Sequence, residues 1–194
     1  TKSLPNISFL INIESFPLEL LKEVTTKCKE KKINILDVNQ VKKIDIDNSK
    51  ISFLNSFIPL SDDKNEHSIV TLIEYNGINI LLMGDATVNN EDILMKRYNL
   101  PKIDILKVGH HGSRTSSSKL FIKDIEPKIS LISSGKNNKY HLPNLDVIQR
   151  LKYYGSKVFD TQDNGELTIN LDEEVYIVYR DNLNQKSLAR ESVS

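Results

Sequence analysis

Cysteine is almost missing from this chain. Cys28, in the lysine-rich stretch TTKCKEKK, stands alone among 194 residues. Without a second thiol there is no intrachain disulfide and no cysteine-built zinc cage, so any bound metal must be held by histidine and carboxylate. A surplus of charge is missing as well, because Lys plus Arg and Asp plus Glu both number 26. No overall field draws in nucleic acid or a membrane surface, and such binding has to be local. The sequence has no apolar run of spanning length and no signal-peptide pattern, so the chain is expected neither to cross a membrane nor to export itself. Beginning at Thr1, it is expected to be a piece of something longer. Repeats and low-complexity segments are absent too.

The length suits one hydrophobic core, and a single domain is expected over residues 1–180 with a polar, frayed tail over 181–194. The apolar pattern predicts a strand at Ile7 to Ile13, a helix from Pro17 through Lys31 and a strand at Ile33 to Val38. Two strands follow between Ile44 and Leu54, then a polar loop at Ser61 to Asn65. A hairpin turned at Asn76-Gly77 is expected next, followed by a helix from Val88 to Leu100 capped by Asn89 or Asn90. Beyond it strands at Ile103 to Val108 and Ile129 to Ser133 alternate with helices from about Ser118 to Ile125 and from Asn144 to Tyr154. Lys157 to Phe159, Glu166 to Leu171 and Val175 to Tyr179 read as strands, with a turn at Asn164-Gly165. This alternation is a layered α/β pattern, in which ligands sit beyond the strand ends.

Chemistry gathers at those ends. ILLMGDAT stops a strand at glycine and releases Asp85; IDILKVGHHGS does the same for His110 and His111, set between Gly109 and Gly112; a later loop presents His141. Imidazole and carboxylate are the ligands of zinc or manganese at hydrolytic sites. Alone, Asp85 fits a turn or helix-entry cap equally well, and adjacent histidines in an extended segment would point to opposite sides. His67 reads as an incidental surface residue. Ser113 to Ser118 and Arg114 suit phosphate contacts or a solvated helix start, and a serine nucleophile is disfavoured because no G-x-S-x-G elbow occurs.

Taken together, several segments resemble the metallo-β-lactamase fold family, and within it the hydrolase-like C-terminal domain of ComEC-type DNA-uptake proteins. They are Asn65-Glu-His-Ser68, Leu82-Met-Gly-Asp85, Ile105-Leu-Lys-Val-Gly-His-His-Gly-Ser113, Ser133-Ser-Gly with Asn138-Lys-Tyr-His141, and Thr161 with Gly165. The resemblance implies an αββα sandwich, mainly its C-terminal half, with a metal site at one edge. It matches Asp85 to an aspartate that bridges two metals and His141 to a late histidine ligand. It leaves open which of His110 and His111 binds metal and which meets the scissile phosphate. On this resemblance Asp85, His110 and His141 are expected to hold metal and His111 to be catalytic. Two divalent ions, zinc or manganese, are implied in the intact longer protein. The family's H-x-D-x-D-H ligands occur nowhere in this chain and are expected before Thr1.

The same resemblance implies single-stranded DNA as substrate during uptake, the membrane-channel portion of the same protein as partner, and a place in the bacterial cell envelope. A competing expectation is a non-catalytic scaffold or DNA-guiding module of the same fold. A third keeps the metal and changes the substrate to a thioester, lactone or lactam.

Overall fold

The computed structural model of the protein describes residues 8–58, 61–172, 175–182 and 185–192, and from 172 onward the backbone alone. β1 (Ser8–Ile11) and β2 (Asn34–Asp37) pair in parallel across α1 (Leu18–Glu30), which enters after Pro17 and buries Cys28. Ile7 lies outside the described residues. β3 (Lys43–Ile46), β4 (Ser49–Leu54), β5 (Val70–Tyr75) and β6 (Ile78–Leu82) then form an antiparallel meander. Its last turn places Asn76 and Gly77 at φ 46° and 83°, as a tight hairpin requires.

From β6 onward the pairing becomes parallel. α2 (Val88–Arg97) leads to β7 (Ile105–Lys107), α3 (Lys119–Ile125) to β8 (Ile129–Ile132), and α4 (Leu145–Tyr153) to β9 (Lys157–Asp160). β3 to β9 make one seven-stranded mixed sheet in which every strand lies beside its sequence neighbour. The crossovers between successive parallel strands set the three helices on one face. There Leu94, Phe121, Ile122, Ile125, Val147 and Leu151 pack against Leu81, Leu106 and Ile132. On the other face Ile78, Ile105, Ile129 and Phe159 meet Leu167, Ile169 and Leu171. Those three lie on β10 (Glu166–Asp172), reached through the short α5 (Thr161–Asn164) and paired with β11 (Val175–Asn182). Ile105 and Leu106 therefore serve opposite layers, which explains the near-continuous apolar run of β7.

The chain is α/β, as its pattern predicts, with several local differences. Thr87 caps α2, and Asn90 closes the reciprocal box at the third helical position; three successive cap-competent residues made the start ambiguous. Lys64–His67 forms a 3-10 turn at the end of the expected loop. Thr161–Asn164 is a helical turn rather than the approach to a simple bend. The expected frayed tail contains β12 (Gln185–Ser192), antiparallel to β11, where backbone pairing outweighs a polar composition.

One buried carboxyl group ties the helix layer to the segment after the histidine turn. The Glu91 carboxylate, 1% exposed, accepts the amides of Ser117 and Ser118 at 2.5 and 2.7 Å, while Arg150 Nη1 donates to the Ser117 carbonyl at 2.5 Å. Burial pushes the Glu91 carboxyl from the ordinary 4.5 up to about 7, against the amide bonds and Arg150. The folded chain thus holds a proton that the unfolded chain releases, and this contribution is fully present below pH 4.5 and lost as pH rises through about 7. Its size is on the order of 3 kcal/mol. Urea unfolding across this range should show stability falling for the native chain, and Glu91→Gln should flatten that fall.

Candidate functional site

The tips of β6, β7 and β8 carry the candidate residues, and backbone hydrogen bonds bring the tips together. After β6 the chain turns at Gly84, and the Asp85 amide donates to Ser68 Oγ at 3.1 Å. After β7 it enters a turn in which His110, His111 and Gly112 all have positive φ, at 45°, 54° and 74°. The histidine segment is therefore left-handed and not extended. For two histidines this costs roughly 1–2 kcal/mol each. Four bonds oppose the cost: His110 N to Gly84 O at 3.0 Å, Ser113 N to His110 O at 2.8 Å, Asn144 N to Gly112 O at 2.9 Å and Ser116 Oγ to Gly109 O at 2.8 Å. Gly109 lies so close to Ala86 that an added Cβ would stand 2.9 Å from its carbonyl oxygen.

Left-handed geometry parts the two imidazoles, whose centroids are 6.4 Å apart. His110 Nδ1 lies 3.2 Å from Thr115 Oγ1, which in turn lies 3.0 Å from Ser113 Oγ. His111 Nε2 faces Asp85 Oδ1 at 3.5 Å, both side chains being 47% exposed. His111 Nδ1 sits 2.6 Å from the Ser133 carbonyl at the tip of β8. A carbonyl only accepts, so Nδ1 carries a proton, and a ring with no second proton would present a bare Nε2 to the carboxylate. Two acceptors facing each other need a positive species between them, either a second ring proton or a cation.

Lys107, at the end of β7, adds charge nearby. Its Nζ donates to the Val108 carbonyl at 3.1 Å; burial pulls the ammonium below its ordinary value, and the Asp85 charge opposes this. His141 stands apart on an exposed loop, at φ 53°, with its amide donating to Asn138 O at 3.1 Å. Asp85 is thus brought together with His111, the residue expected to meet substrate. Among the described residues no three His, Cys, Asp or Glu side chains lie close enough to hold one metal ion. His67 ends the 3-10 turn, and its carbonyl accepts from Asn12 Nδ2 at 3.4 Å.

Asn138 is the residue whose role the sequence did not disclose. Its Nδ2 donates to Gly135 O and Leu142 O at 2.8 and 2.6 Å, and its Oδ1 accepts from the amides of Tyr140 and Leu142 at 3.2 and 3.0 Å. That uses all four of its bonding positions and holds the loop beside His111 in one shape. Ser134 is anchored as firmly, with its Oγ donating to Asp160 Oδ1 at 2.6 Å and its amide to Thr161 Oγ1 at 2.9 Å.

Gly112 is where this geometry can be broken. Its Cβ would meet Pro143 Cβ at 2.7 Å, whereas a Cβ at Gly77, also at positive φ, meets nothing within 4 Å. Gly77→Ala should cost only the left-handed penalty, roughly 1 kcal/mol. Gly112→Ala should cost at least about 2 kcal/mol and lower Tm by about 4–8 °C, measurable by thermal melts of the two variants side by side.

No protein-family model matches the chain. It is similar to ComE operon protein 3 of Bacillus subtilis, 34% identical over 145 residues that make up 75% of this chain and 19% of that protein. Recombination protein 2 of Haemophilus influenzae is 41% identical over 106 residues, 55% of this chain and 13% of the relative. Competence protein ComA of Neisseria gonorrhoeae is 35% identical over 111 residues, 56% and 16% respectively. The matched stretch is under a fifth of each relative's length.

Proposed function

We propose that this chain is the C-terminal part of a metallo-β-lactamase-like, metal-dependent phosphodiesterase acting on DNA in competence-related uptake. The observation that carries the proposal is the Asp85–His111 pair at 3.5 Å, with the ring proton held on Nδ1 by Ser133. A histidine whose far nitrogen donates to a carbonyl is the usual state of a metal ligand. The helix layer, the seven-stranded sheet and the sheet behind it supply three layers of an αββα sandwich. The competence and recombination names of the relatives support the DNA setting.

Asp85 Oδ1 and His111 Nε2 would hold a divalent ion, zinc or manganese. Catalytic zinc sites use three protein ligands, so the remainder would come from the preceding part of the longer protein. The ion, when bound, supplies the Lewis-acid charge for hydrolysis at neutral pH. His111 holds its bare nitrogen at one position, and Ser68 fixes the backbone from which the Asp85 carboxylate projects. His110 stays outside this pair; with Thr115, Ser113 and the exposed Arg114 it offers donors to a phosphate. In the longer protein, Asp85→Ala and His111→Ala should each lower hydrolysis of single-stranded DNA about a hundredfold or more, with His67→Ala near wild type. Unchanged activity in the first two would refute the assignment.

A second reading, a DNA-guiding module without catalysis, is favoured by the absence of a third ligand among the described residues. Calorimetric titration of the longer protein separates the two: stoichiometric zinc or manganese binding, lost in Asp85→Ala, supports the hydrolase, and no binding supports the module.

A further inference from the structure

Beside His111 lies a pocket of about 200 Å³ lined by His111, Ser134, Gly135, Asn138, Tyr140 and Leu142. It is smaller than the roughly 300–1,000 Å³ that encloses a drug-sized ligand, and its walls offer flat rings more than free polar groups. Tyr140 is 69% exposed, an unusual outlay of aromatic surface for a residue with no core to fill. Lys139 Nζ stands 4.9 Å from the centroid of its ring, and Lys136 is exposed on the same loop. Residues 133–142 contain no carboxylate, so the loop itself is positive in a chain with no net charge, while Asp160 and Asp85 reach the pocket only through Ser134 and His111. The four bonds of Asn138 hold the loop in shape before anything binds.

An exposed aromatic ring, flanking cations and a small rigid pocket are the elements by which proteins hold single-stranded nucleic acid: bases stack on the ring and phosphates meet the lysines. We infer that Tyr140 and the pocket beside it form a base-stacking subsite that seats one nucleotide of a single strand next to Asp85 and His111, an inference that rests on the nucleic-acid substrate proposed above. Stacking tolerates every base, so the subsite grips the strand without reading its sequence. The flanking ring of His111 ties the seated nucleotide to the reacting end of the site. Tyr140 here is a binding residue and takes no part in proton transfer.

The test compares a short oligothymidylate with an abasic strand of equal length, each titrated with the full chain and followed by fluorescence anisotropy. Native protein should prefer the base-bearing strand. Tyr140→Ala should weaken that binding about tenfold, leave the abasic strand unchanged, and be largely rescued by Tyr140→Phe. The chain has no tryptophan, so Tyr140→Trp gives a single indole, whose emission should be quenched by the base-bearing strand alone. Equal affinity for both strands, an unaffected Tyr140→Ala, or an equal loss on both strands overturns the subsite. Hydrolysis of the same strands by the longer protein separates this from the catalytic proposal. Cleavage with Tyr140-independent binding removes only the subsite, and Tyr140-dependent binding without cleavage removes only the hydrolase.

Discussion

One hydrogen bond, from His111 Nδ1 to the Ser133 carbonyl at 2.6 Å, governs what the strand tips can do. It joins the turn after β7 to the end of β8, and it decides which imidazole nitrogen is left facing Asp85. A free imidazole would exchange tautomers and present an N–H half the time or more, which satisfies a carboxylate and repels a cation. With the proton locked on the far nitrogen, a ring that carries no second proton leaves the pair a two-pronged acceptor. The left-handed backbone at His110 and His111 is the means: only this curl aims one ring across at the neighbouring tip while sending the other toward Thr115. Strain of this kind persists where surrounding bonds over-determine it, and here the carbonyl of Gly84 and the side chain of Ser116 do so.

The two halves of the seven-stranded sheet have different tasks. The antiparallel half supplies a wall and, through Ser68, a hydroxyl that props the Asp85 turn. The parallel half ends three successive strands on one side, so three loops converge where the chain leaves the sheet. Glu91 and Arg150 hold the return path from that side by gripping the backbone of residues 117 and 118, with the Glu91 to Ser117 bond buried and the other two half-buried. A buried carboxyl group is a costly clamp unless its oxygens are bonded, and here both accept backbone amides.

Local chemistry was legible in the sequence. Asn76-Gly77 announced its hairpin, and the near-continuous apolar run over Ile103 to Val108, interrupted by Asp104 and Lys107, fits the two-sided burial of β7. What depended on distant partners was not. Histidine is enriched at positive φ among non-glycine residues but still adopts it only rarely, so Gly-His-His-Gly alone does not single out a left-handed curl over an extended segment. The pairing of Asp85 with His111 joins residues on different strands, and the hub role of Asn138 follows from a loop shape that its neighbours reveal only in three dimensions. Gln185–Ser192 lacks the composition of a strand and becomes one because β11 offers an edge. Asp85, weighed as a turn or cap residue, does neither with its carboxylate, since Thr87 holds the cap.

The order of the main sheet has an implication for how the protein comes into being. Strands β3 through β9 lie side by side in the order in which they are synthesised. No strand has to wait for a later one to be inserted between it and its neighbour, so pairing can advance in one direction as chain emerges from the ribosome. The growing edge is always the newest strand. The tips that carry Asp85, His111 and Ser133 belong to three strands added in succession, and the cluster of all three is complete only once β8 has docked.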